Sequence, residues 1–142
     1  MKKFLAGVVL ALVLTGCSLG EMNDSIDYGN DAKEHINQLK EYAEGAQERY
    51  KEASKDPEAK EKLANELKSL KDDINAFNNI DAPSIAEDLH KNIVSKNEQI
   101  IAEIDAVFED GQLALEKVQD SKLIQTIRNT SEIINQLENL NQ

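Results

Sequence analysis

PEAKEKLANELKSLKDDINAFN, residues 57–78, is the stretch that decides the fold class. Leu63, Leu67, Leu70, Ile74 and Phe77 recur at alternating spacings of four and three, the seam of a helix packed against other helices. Asp56 supplies an N-cap, and Pro57 fits the first helical position, where its missing N–H leaves no bond unmade. The same rhythm extends in both directions from this helix.

Upstream, Ala32, Ile36, Leu39, Ala43, Ala46, Tyr50 and Ala53 form a seam on which the alanines let a neighbouring helix approach closely. Gly45 lies inside this helix at some cost in propensity, but no proline accompanies it, so the helix is expected to continue. Asn23 or Asp24 can cap its start. Downstream, residues 78–83 read as a turn, and Ser84-Ile85-Ala86-Glu87 as a capping box. Ala86, His90, Ile93, Asn97, Ile100, Ile104 and Val107 follow on a third seam, which Asp110-Gly111 ends. Residues 113–118 suit a short helical piece. Asp120 or Ser121 then caps a last helix with Leu123, Ile127, Thr130, Ile134 and Leu137 on its seam.

These patterns predict an all-α chain with helices at about 24–55, 57–78, 84–109 and 112–140, the last broken near 119–121. Four amphipathic helices on short links favour an antiparallel four-helix bundle-like domain, up-down-up-down. The length of the first helix leaves room for an extended hairpin of helices one and two, with the remainder packed at one end.

The N-terminus has a different character. Lys2 and Lys3 precede an apolar run, Phe4–Leu14, of 11 residues, which is too short for a bilayer span of ~20. Thr15 and Gly16 give the small side chains a signal peptidase needs, and Cys17 is the chain's only cysteine. Leu14-Thr15-Gly16-Cys17 resembles a bacterial lipobox. That resemblance implies a signal peptide at 1–16, a diacylglyceryl group on the Cys17 thiol through a thioether, and cleavage that leaves Cys17 first. A short lipidated tether at 17–23 and a helical domain at 24–142 would follow. Two acyl chains suffice for stable attachment, where one would be marginal. The expected location is therefore the cell membrane, lipid-anchored on the extracytoplasmic face.

Composition narrows the partners. The remaining 126 residues suit one domain. Loss of Lys2 and Lys3 moves the formal charge from −11 to −13, which disfavours nucleic acid and anionic headgroups. With Cys17 lipidated no disulfide can form, so packing alone must supply stability. Cys17 through Tyr28 and Pro83 through His90, with Asn97-Glu98, resemble a family of small Gram-positive lipoproteins of uncharacterised function. The resemblance implies location and a helical fold, and it brings no catalytic motif.

Few residues carry chemistry. Glu87-x-x-His90 is half of the carboxylate–histidine motif of di-metal bundles, but Ala32 stands where a second copy before His35 would need its glutamate. No metal or other cofactor is expected. Two isolated histidines form no triad, and scattered glycines form no phosphate loop, so an enzyme is not expected. His90 and Asn97, a heptad apart, and Thr130 place polar side chains on apolar seams. This structural polar core would fix helix register. His90, on its seam, is expected to be more buried than His35, which flanks its own. Two functions follow: a lipid-anchored helical module that binds another envelope protein, or a small-ligand or metal-binding lipoprotein using the bundle interior near His90 and Asn97.

Overall fold

The computed structural model describes residues 19–133. Cys17 and the leader lie outside these residues, as do the seam positions Ile134 and Leu137. The chain is mostly helical, and each helix begins or ends where local chemistry dictates. α1 (Leu19–Ala53) is 35 residues long, a rod of ~52 Å at the standard rise. It starts upstream of the expected 24 and takes in most of the expected tether. Asn23 and Asp24 sit inside it as exposed residues, because no proline or glycine pair precedes them to stop the helix.

α2 (Pro57–Asn78) is capped by Asp56, whose carboxylate accepts from the Glu58 N–H at 3.0 Å. All five of its seam residues are buried. The expected capping box at 84–87 does not form. Ser84–Ala86 make a 3₁₀ turn, Ala86 stands at the cap of α3 (Glu87–Ala106), and the Glu87 carboxylate instead meets Lys91 at 3.0 Å. Pro83 holds extended backbone immediately before this turn, which places Ser84 one turn too early to cap the α-helix.

Beyond α3 the chain departs from a plain helical stop. Phe108–Glu109 and Gln112–Leu113 pair as a two-stranded antiparallel hairpin, β1 and β2, with Phe108 opposite Leu113 and Glu109 opposite Gln112. Asp110 (φ 49°) and Gly111 (φ 80°) both adopt the left-handed region, which a two-residue hairpin turn requires. Val107 and Leu113 turn this hairpin's apolar side inward, and Ala114 N–H closes on Val107 C=O at 2.9 Å. Two short helices follow, α4 (Leu115–Asp120) and α5 (Leu123–Ser131). The break expected near 119–121 falls at Ser121 and Lys122, and Lys122 rather than Asp120 or Ser121 stands at the cap of the second piece. Ser121 Oγ is turned back to the Val118 carbonyl and is not free to cap.

α1 packs on α2 and α5, and α3 packs on the same two helices. Arg49 pairs with Glu66 while His35 lies against Phe77, so α2 runs back along α1. Asn97 meets Asn78 and Asp105 meets Lys71, so α3 runs opposite to α2. Ile36, Leu39, Leu67, Ile74, Ile93, Ile100, Ile104 and Ile127 form the centre of one continuous core. Among the described residues no helix is long and apolar enough to cross a membrane.

Candidate functional site

Four polar side chains of α1 and α3 meet in two pairs around Phe77. Tyr28 and His35 stand two turns apart on α1, and His90 and Asn97 stand the same distance apart on α3. The Tyr28 hydroxyl lies 3.1 Å from His90 Nδ1, and His35 Nε2 lies 3.1 Å from Asn97 Oδ1. Each pair is separated by 62 residues, so one register of α1 against α3 makes both bonds. Phe77 fills the space between. Its ring stacks on His35 at 4.2 Å and 7°, and lies 5.4 Å from His90 and 6.3 Å from Tyr28. Both histidines therefore lie at the level of Phe77.

The donors and acceptors assign themselves. Asn97 Nδ2 donates to Asn78 Oδ1 at 2.7 Å, which leaves Asn97 Oδ1 as the acceptor and makes His35 Nε2 the protonated nitrogen. Burial favours the neutral form of the His35 imidazole. Desolvation lowers its pKa from the usual 6.5, against smaller opposing effects from the Asn97 bond and the Asp73 charge. Burial pushes the Tyr28 phenol up to about 12, so it keeps its proton beside His90 Nδ1. Among the described residues, no buried side-chain nitrogen or oxygen lacks a partner.

The polar core expected at His90, Asn97 and Thr130 is distributed differently. Asn97 is fully buried and central. Thr130 is buried but bonds its own helix, Oγ1 donating to the Thr126 carbonyl at 2.8 Å. His90 is half-buried and His35 is 6% exposed, the reverse of the expected order. The reason is position. His90 falls in the first turn of α3, at the open end of the core, whereas His35 lies between Ala32 and Ile36 on the covered face of α1.

Tyr28 and His35 were not on the seam read from the sequence. A signal for them existed: Tyr28, His35 and Tyr42 repeat at seven, as do His90, Asn97 and Ile104. As for metal-ligand chemistry, the Glu87 carboxylate beside His90 is engaged by Lys91. Among the described residues, no three His, Cys, Asp or Glu side chains are grouped to hold an ion.

A family model described as "Family of unknown function (DUF6376)" matches residues 28–140, a span that includes every member of the polar layer. A second, described as "Prokaryotic membrane lipoprotein lipid attachment site", matches residues 1–18 and so includes Cys17. The chain is similar to the uncharacterized lipoprotein YybP of Bacillus subtilis (strain 168). The two are 33% identical over 140 residues, covering 96% of this chain and 94% of that protein. No solved structure matches the chain.

Proposed function

The chain belongs to the family of unknown function DUF6376 and is a membrane-anchored lipoprotein, and from that premise we propose that it is a helical interaction module displayed on the extracytoplasmic face of the cell membrane. In this reading the Cys17 thiol carries the diacylglyceryl anchor, residues 1–16 are removed, and the domain binds another envelope protein through an outer helical face. The helices form an up-down-up-down bundle in which α5 supplies the fourth member.

One observation carries the choice of an outer face over the interior. Among the described residues no buried side-chain nitrogen or oxygen lacks a partner, so the layer around Asn97 offers a ligand no unpaired buried group. Its work is to set register.

The test uses the full chain in intact cells. Cys17→Ser is expected to abolish acyl labelling and leave uncleaved precursor or shed protein. Photocrosslinkers placed along the exposed sides of α1 and α2 are expected to capture one envelope protein reproducibly in the wild type and lose it in the Cys17 variant. Membrane fractionation and processing unchanged by Cys17→Ser would overturn the anchor, and an absence of any specific adduct would overturn the interaction role.

A further inference from the structure

Beginning two turns beyond His35 on α1, a groove of about 350 Å³ lies between α1, α2, α4 and α5. Leu63, Leu67 and Leu123, all buried, form its floor. Tyr42 and Tyr50 wall it on the α1 side, and Ile124 faces them from α5. The Tyr50 hydroxyl donates to Gln119 Oε1 at 3.1 Å, closing a lip between α1 and α4. Arg128 stands at its edge and is the only charged side chain in the lining.

The charge of this groove sets it apart. The cleft at the start of α1 is lined by Asp24, Asp27, Asp31 and Asp81 with no cation. Two further surface clefts, one on α2 and one on α1, each carry more glutamates than lysines. In a chain of net charge −11, the groove between α1 and α5 is basic. Arg128 makes no ion pair among the described residues, so its charge is available to a ligand.

We propose that this groove binds a small anionic amphiphile, an aliphatic carboxylate whose apolar chain lies on Leu63, Leu67 and Leu123 while its head meets Arg128. The volume is at the low end of small-molecule sites, suited to a chain of medium length. Such a ligand combines the two features the lining offers, apolar contact for affinity and one cation for orientation. With α1 standing upright from the anchor, Tyr50 lies ~46 Å along the helix from Leu19, beyond the reach of lipids that remain in the bilayer. The occupant is thus a free amphiphile and not a membrane lipid, a point that rests on the anchor at Cys17.

The test is calorimetric titration of the unlipidated mature chain, residues 18–142, which contains the entire described core. Laurate below its micelle concentration is the probe, with dodecanol and dodecyltrimethylammonium as matched chains. Laurate is expected to bind saturably at one per chain. Arg128→Gln should weaken it about fivefold, the scale of an exposed charge pair, while Arg128→Lys retains most of the affinity. Ile124→Glu, a half-exposed position, should abolish binding while leaving the helical melting curve in place. Dodecanol should be indifferent to Arg128, and the cationic chain should bind more weakly than laurate. No saturable laurate binding, or binding unmoved by Arg128→Gln, overturns the proposal. So does tight laurate binding only when the chain is mixed with vesicles, which assigns the groove to membrane lipid. A wild-type dimer in sedimentation that Ile124→Glu converts to monomer also overturns it, since the groove then holds a second copy. None of these outcomes touches acylation at Cys17 or capture of an envelope protein.

Discussion

The two ends of this domain share one four-three seam and close it by different means. Near the start of α1 the seam is filled by Tyr28, His35, Phe77 and Asn97, whose hydrogen bonds accept one alignment of the helices. Toward the end of α1 it is filled by Ala43, Ala46, Leu63 and Leu67, whose contacts reward proximity more than direction. At the polar end, among the described residues, every buried side-chain nitrogen and oxygen has a partner. The apolar end is left partly open between α1 and α5. Directional bonds here specify alignment, and non-directional packing leaves room for a surface depression.

Truncation of the packed seam is the harshest way to break this contrast. Ile104→Ala, fully buried and remote from the groove, is expected to cost about 4 kcal/mol in chemical denaturation, and Leu67→Ala, beside the groove, about 2–3 kcal/mol. Equal costs at the two sites would show that the groove offers no relief to a nearby cavity.

Asn97→Leu should come next, at about 2–3 kcal/mol, because it strands the His35 donor and removes the partner of Asn78. The double variant with His35→Leu should recover part of that loss. A double-mutant cycle that sums to zero would mean that the two side chains do not act together.

Acid sharpens the comparison at smaller scale. The folded pKa of His35 is depressed, so its contribution is fully present above pH 6.5 and is lost as pH falls from there toward the folded value. Over that window the unfolded chain takes up a proton that the native chain resists. Urea midpoints should therefore fall with pH below 6.5 in the wild type and fall less steeply in His35→Leu.

The smallest effects concern two glycines of the same helix. A Cβ at Gly29 meets nothing within 4 Å, so Gly29→Ala should stabilise by about 0.5–1 kcal/mol in thermal melts. At Gly45 the added carbon falls 3.0 Å from the Arg49 guanidinium. That group lies over the Tyr42 ring at 4.8 Å, donates to the Tyr42 carbonyl and pairs with Glu66. Gly45→Ala must displace it and should gain less than Gly29→Ala.

Much of the fold was legible because α2 declares itself. Its cap, its proline and five seam residues agree, and all five seam residues are buried. The start of α1 was not legible, since Asn23 and Asp24 are good caps only where the preceding chain leaves the helix, and here it does not. Ser84 and Glu87 have the letters of a capping box, but the 3₁₀ turn after Pro83 spends them elsewhere. Strands of two residues are too short for alternation to appear, so Asp110-Gly111 reads as a stop when it is a hairpin turn. At the polar layer, Asn97 was visible as a polar residue on an apolar seam. His35 showed only as a heptad neighbour of Tyr28 and Tyr42, because its role depends on the register of α1 against α3, which neither helix reveals by itself.

That register has a mechanical side. α1 and α3 stand at opposite corners of the packing arrangement, each touching α2 and α5 as its main neighbours. A four-cornered frame joined only along its sides can shear into a rhombus without breaking any side. Tyr28–His90 and His35–Asn97 run between the opposite corners, one two turns above the other, as a pair of cross-braces. A slip of one helical turn, ~5.4 Å, would release both together.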